Sequence, residues 1–341
     1  GVCAPATATF SIRINAGRSP DCVLPAMFDA DPQFRADVLS GLAGPRRAIP
    51  ARWFYDERGS ELFDEITRLP EYYPTRTETA LLAQCRADVA QRVGPGTAVI
   101  EFGAGSATKT PLLLEAVAPA AYVPIDISGD YLRDAAAALQ VNFPLLSVIP
   151  IEADFTEAMT LPATVDDMPR LGFFPGSTIG NFIPRSAVNF LRHIRDVLGE
   201  GAQLLIGFDR IKPVDILIAA YDDAAGVTAA FNLNLLERIN RELDGNIPVN
   251  AFAHRAVWND AEARIEMHLE ALQDISFEVA GQRFNMAAGE TIHTENSHKY
   301  DLRGLRLLLR AGGWTPVVDY SDAGDWFTLV LAQAAPYHRA P

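Results

Sequence analysis

The sequence predicts an α/β fold: a largely parallel sheet wound with helices and interrupted by a second segment of mixed helices and strands. Three observations carry this. Between residues 97 and 209, short aliphatic runs alternate with amphipathic stretches of helical period. The first run opens onto a glycine-containing turn, "EFGAGSATKT" (101–110). After residue 210 the alternation stops, and it resumes near residue 301 with a helix and a closing pair of strands.

The elements follow in order. Residues 1–25 read as irregular, and 31–41 and 59–69 as helices. Pro70 ends the second of these, and Pro74 follows an extended tyrosine pair, Tyr72 and Tyr73. "ETALLAQCRADVAQRV" (78–93) is a longer helix. Strands are expected at 97–102, 121–127, 146–155, 170–182 and 201–209, with helices between them at 111–117, 130–143 and 186–198. Successive parallel strands require right-handed crossovers. The segment 215–243 reads as helix in two pieces around Gly226. Residues 251–272 and 275–295 alternate like strands. Residues 301–313 form a helix ended by glycines, and 314–333 an antiparallel hairpin.

Composition narrows the function. The 341 residues suit two domains, and 49% hydrophobic content supplies a core. A net charge of −14 argues against nucleic acid or an anionic membrane surface as partner. No apolar run approaches the roughly 18 residues of a membrane span. "GVCAPATATF" lacks the basic and apolar regions of a secretory signal. Cys3, Cys22 and Cys85 form no paired framework, so a reducing cytoplasm is expected. A monomer is the expected state of the chain. The six histidines show no metal-ligand spacing, and no metal is expected.

The turn after the first strand lies where such sheets bind ligands. Gly103 and Gly105 permit a tight turn, although a lone G-x-G is also common in ordinary strand-to-helix turns. Thr108 before Lys109 excludes a phosphate loop. Asp126 ends the second strand, where an acid can accept both hydroxyls of a ribose. Asp154 and Phe155 end the third, placed to receive an adenine amino group and to flank the base. Lys109 opens the next helix, where positive charge and free amides favour a carboxylate. Taken singly, Asp126 reads equally as a surface acid and Asp154 as a helix cap. In this order the four features describe an adenosyl amino acid, S-adenosylmethionine. NAD is the rival, and the missing third glycine with Lys109 speaks for a carboxylate rather than a pyrophosphate.

Five blocks are then recognisable: "YDERGSELFDEITRLPEYYPTRTE" (55–78), "EFGAGSATKT", "GSTIGNF", "YDDAAGVTAAFNLNLLERINREL" and "TENSHKY". From about residue 50 onward the chain resembles the L-histidine N-alpha-methyltransferases of ergothioneine biosynthesis. The resemblance implies a Rossmann-like class I methyltransferase sheet with a second, inserted α+β substrate domain. Its implied boundaries are 77–210 plus 299–335 for the cofactor domain and 25–76 plus 211–298 for the substrate domain. The implied activity is trimethylation of histidine to hercynine, with S-adenosylhomocysteine as by-product. By the same resemblance Asn181 and Tyr221 hold the carboxylate and amino ends, Glu295 and Ser297 hold the imidazole, and Tyr55 and Tyr72 line the pocket. Met267 packs on the ring, or simply fills core. Tyr55 or an ordered water chain is the expected proton acceptor. His298 is expected to be structural. Two other readings stand beside this one: a relative acting on another aromatic amino acid, and a non-catalytic S-adenosylmethionine-binding module.

Overall fold

The structure is a computed structural model that describes residues 31–105 and 108–336. Residues 1–25, with Cys3 and Cys22, lie outside the described residues. Helix α1 (Pro32–Ala43) starts where the Asp31 carboxylate accepts from the amides of Gln33 and Phe34. Helix α2 (Glu57–Ile66) is capped in the same way by Asp56. Helix α3 (Tyr73–Val93) begins five residues before the expected start, because a proline is tolerated in a first turn. Tyr73 is therefore helical rather than extended.

The main sheet follows: β1 (Ala98–Phe102), α4 (Thr110–Val117), β2 (Ala121–Asp126), α5 (Gly129–Asn142), β3 (Ser147–Val148), β4 (Ile151–Glu152), β5 (Arg170–Phe174), α6 (Pro184–Leu198) and β6 (Gln203–Asp209). Two strands differ from expectation. The third breaks into β3 and β4 around Pro150, which has no amide hydrogen for a ladder, and both pieces pair with β2. The fourth stops at Phe174. Pro175, Gly176 and a left-handed Ser177 (φ 55°) lead into a 3-10 turn, Thr178–Asn181.

The second segment contains α7 (Val214–Tyr221), α8 (Val227–Glu242), β7 (Phe252–Asn259), β8 (Arg264–Ala271), β9 (Ile275–Val279), β10 (Gln282–Met286) and β11 (Thr291–His298). The split between α7 and α8 falls at Gly226, whose φ is 74°. The chain then re-enters the main sheet through α9 (Leu302–Ala311), β12 (Trp314–Ser321) and β13 (Phe327–Ala334).

The strand order is β12-β13-β6-β5-β1-β2-β3. The strands from β3 to β6 run parallel, and β13 and β12 are antiparallel. β7, β8 and β11 form a separate antiparallel sheet, and β9 and β10 a hairpin. The insertion leaves and returns at one place, since Arg210 and Tyr300 form a parallel bridge.

Period-two alternation divides the core. Val99, Leu171, Phe173 and Leu205 pack with Leu82 and Val89 of α3 on one face of the main sheet. Ile100, Phe102, Phe174 and Ile206 pack with Phe190 and Trp314 on the other. A third cluster joins Phe34, Phe54 and Tyr73 to Leu235, Met267 and Ile292, so the N-terminal helices and the insertion share one core. Helix α3 spans two of these cores. No helix among the described residues is long and apolar enough to cross a membrane.

Candidate active site

A single cavity of about 740 Å³ lies between the strand ends of the main sheet and the insertion. Every site residue named from the sequence lines it: Gly103, Gly105, Lys109, Asp126, Asp154 and Phe155 at one end, and Tyr55, Tyr72, Asn181, Tyr221, Met267, Glu295 and Ser297 at the other.

The first end is built from backbone and strand termini. Gly103 has φ 71° and Gly105 φ 50°, the left-handed region that glycine favours. A Cβ at Gly103 would come within 3.2 Å of the Phe155 ring. Phe155 is itself held edge-on by Phe174 and Phe190. Asp126 accepts from the amides of Gly105 (3.0 Å) and Ser128 (2.9 Å), which fixes its carboxylate and leaves acceptor capacity on both oxygens. The open glycine backbone, the fixed acid and the braced aromatic ring suit an adenosyl ligand.

Two residues here are more committed than their sequence positions suggest. The Lys109 ammonium pairs with Glu78, a wholly buried carboxylate on α3 that also accepts from the Gly176 amide. Lys109 is thus held by the protein rather than standing free for a ligand carboxylate. Asp154 forms an ion pair with Arg52 at 2.9 Å, and Arg52 also reaches Asp37 at 2.7 Å. Sequence reading missed Glu78 and Arg52, whose partners are far away along the chain.

The second end is aromatic and titratable. Tyr55 meets Phe63 and Phe231 edge-on, and Tyr72 meets Tyr221 at 6.2 Å between ring centres. The 3-10 turn places Asn181 against Glu295, with which its side chain forms a hydrogen bond. His298 secures that turn, its Nδ1 lying 2.8 Å from the Gly180 carbonyl oxygen, a structural position as expected. β11 carries a bulge between His293 and Glu295, and beyond it Glu295 faces Met267 in the ladder. Such a bulge re-aims side chains, and both Glu295 and Ser297 line the cavity. The Ser297 and Tyr221 hydroxyls lie 2.7 Å apart.

Burial raises the Glu295 carboxyl to about 7, against the opposing pull of the Lys299 charge and the Asn181 hydrogen bond. Burial, with Glu295 and Tyr72 adding to it, also pushes the Tyr55 phenol well up. Tyr55 is thus held as a neutral phenol at neutral pH.

At the rim of this cavity, which His293 lines, ligand atoms of Glu266, His268 and His293 lie within 4.8 Å of one another. No sequence spacing shows this cluster, because His293 comes from a different strand. Glu266 is already bound by Arg264 (2.7 Å), Asn259 (2.8 Å) and His268 (3.0 Å), so the cluster reads as a closed ion-pair network.

Residues 34–334 match a protein family described as histidine-specific methyltransferase, SAM-dependent. A histidine N-alpha-methyltransferase of Mycolicibacterium smegmatis is 40% identical over 304 residues, covering 87% of this chain and 94% of that protein. Its counterpart in Mycobacterium tuberculosis is 40% identical over 308 residues, with the same coverage of both chains. A more distant relative, the 4-dimethylallyltryptophan N-methyltransferase of Claviceps purpurea, is 24% identical and covers 81% of this chain and 88% of its own. With its strand-end acids and its aromatic, carboxylate-bearing pocket in one cavity, the chain belongs to the histidine-specific, S-adenosylmethionine-dependent methyltransferase family.

Proposed function

We propose that this chain transfers methyl groups from S-adenosylmethionine to the α-amino group of L-histidine, three times, to give hercynine. The observation that carries this reading is the joining of two unlike ends in one cavity: Asp126 and Phe155 at one, Asn181, Tyr221, Glu295 and Ser297 at the other. A cofactor-binding module without catalysis has no use for the second end. In this reading residues 77–210 plus 299–335 bind the cofactor, and 25–76 plus 211–298 bind the substrate.

S-adenosylmethionine, when bound, supplies a methyl group already activated on a sulfonium. The protein's task is alignment and exclusion of water, and alignment of this kind contributes up to about 7–11 kcal/mol. Asn181 and Tyr221 hold the carboxylate and amino ends. Glu295 accepts from one imidazole nitrogen and Ser297 meets the other. The attacking amine must be neutral, so a proton leaves before each transfer, and Tyr55 or an ordered water chain is the route for it. The faces of Tyr55 and Tyr72 attract the growing ammonium, an effect worth about 0.5–2 kcal/mol.

The relative acting on a prenylated tryptophan keeps a second reading open, an aromatic substrate other than histidine. Glu295 favours histidine, because a half-buried carboxylate has less to pair with beside a larger indole. Mass spectrometry of the protein with S-adenosylmethionine and a mixture of amino acids separates the two. The expected product is histidine carrying three added methyl groups. Methylation of tryptophan or tyrosine with histidine untouched would overturn the assignment.

A further inference from the structure

Behind the Tyr221–Ser297 wall lies a buried polar cluster that the sequence did not reveal. Lys299, two residues beyond Ser297, is 3% exposed and does not line the cavity. Its ammonium donates to Ser297 Oγ at 2.7 Å and to Tyr221 Oη at 2.9 Å, and pairs with Asp209 Oδ2 at 2.7 Å. Asp209 ends β6 and is 1% exposed. It is anchored in turn by the Tyr73 hydroxyl at 2.7 Å and by Lys212. Burial alone would raise the Asp209 carboxyl, but the charges of Lys299 and Lys212 hold it below its ordinary value.

An ammonium carries three hydrogens, and Lys299 has a partner for each. Both hydroxyls therefore receive a hydrogen from Lys299. Tyr221 and Ser297 bring two hydroxyl hydrogens of their own, and one of them lies in the 2.7 Å bond between the pair. One hydrogen remains, and both hydroxyls border the cavity.

We propose that Lys299 is a positioning residue that makes the Tyr221–Ser297 pair present one hydroxyl hydrogen to the substrate, so that the site requires a hydrogen-bond acceptor on the ring. This deepens the histidine reading and rests on it. With Glu295 accepting from one ring N–H, the second imidazole nitrogen carries a lone pair, and the outward hydrogen from Ser297 meets it. A ring with C–H at that place leaves the hydrogen without a partner in a desolvated pocket, and sites of this type reject such ligands strongly. Without Lys299 the two hydroxyls are free to turn, and the requirement lapses.

The test compares L-histidine with the two pyrrolylalanine isomers, each keeping one ring N–H and lacking the second nitrogen. The better isomer serves as the probe. The parent enzyme is expected to favour histidine by at least about 100-fold in kcat/KM. In Lys299→Met this preference narrows to about tenfold or less, chiefly through a higher KM for histidine, while S-adenosylmethionine affinity is retained. A role in folding alone would lower both substrates together and leave the ratio unchanged, and that result overturns the proposal. Two further variants keep the test decisive if Lys299→Met does not fold. Tyr221→Phe should keep the preference, because Ser297 still accepts from Lys299 and must turn its own hydrogen outward. Ser297→Ala should abolish it. Loss of the preference in Tyr221→Phe, or its survival in Ser297→Ala, contradicts the inference. A parent that methylates no histidine at all would instead overturn the functional reading beneath it.

Discussion

The two ends of the cavity are built on different principles. The cofactor end is drawn from one short stretch of chain, 101–155, and relies on glycine backbone and fixed strand-end acids. The substrate end gathers Tyr55 and Tyr72 from the N-terminal segment, Asn181 from the main sheet, Tyr221 from α7, and Glu295 and Ser297 from β11. It relies on side chains that are buried or half-buried, with Tyr221 and Ser297 hydrogen-bonded to each other and Glu295 and the tyrosines shifted in proton affinity. A ligand with a constant adenosyl frame can be held by a local pattern. A small zwitterion whose amine must be deprotonated and whose ring must be read needs groups that converge from several directions.

This contrast can be broken at either end. Asp126→Ala removes the acceptor for the ribose hydroxyls. Hydrogen bonds to charged groups contribute roughly 1.5–3 kcal/mol, so S-adenosylmethionine affinity should fall by at least about tenfold. Calorimetry on the folded variant checks this, and unchanged affinity would place the ribose elsewhere. Asn181→Ala should weaken histidine binding by about tenfold and leave the cofactor nearly untouched. Titration with both ligands separates that outcome from an equal loss, which would indicate collapse of the turn after β5. Met267→Val should change kcat/KM for histidine only a few-fold, since the shorter side chain gives up apolar contact with the ring but no hydrogen bond to it. A larger loss would show that Met267 positions the ring closely rather than filling core.

A stability measurement sharpens the comparison from the cofactor side. Glu101, 2% exposed on β1, is raised by burial to about 7, against the hydrogen bonds from Tyr122 and Thr110. A carboxyl raised in the folded state binds its proton more tightly there than in the unfolded chain. Its contribution to stability is therefore greatest below its ordinary value of 4.5 and is lost as pH rises through about 7. Glu101→Gln should raise Tm relative to the parent at pH 8, by several degrees at most, and lose that advantage near pH 4. An advantage independent of pH would mean that Glu101 does not titrate as its surroundings dictate.

The same contrast explains what was legible in the sequence. The parallel sheet, the interruption after residue 210 and the closing hairpin show in periodicity, because each is a local pattern of apolar residues. Pro150 marked the broken third strand, and Pro175-Gly176 marked the early end of the fourth, although the apolar runs continued past both. Tyr73 read as extended because proline usually discourages helix before it, yet in a first helical turn it is accommodated. Glu78 beneath Lys109, Arg52 on Asp154, and Lys299 on Asp209 left no local trace. Each is joined to a partner 31 or more residues away, and such pairings exist only once the fold has formed. The substrate residues Asn181, Glu295 and Ser297 were named through family resemblance, since a polar residue on a strand carries no signal of what it will face.

The central claim is that Glu295 reads the imidazole ring. Its most direct test is kcat/KM for histidine and tryptophan in the parent and in Glu295→Ala. The account predicts that the variant loses histidine activity by about 100-fold or more, while activity on tryptophan falls less or rises, because a carboxylate that the indole leaves unpaired has been removed and space opened. A histidine-to-tryptophan ratio that stays the same in both proteins would contradict it.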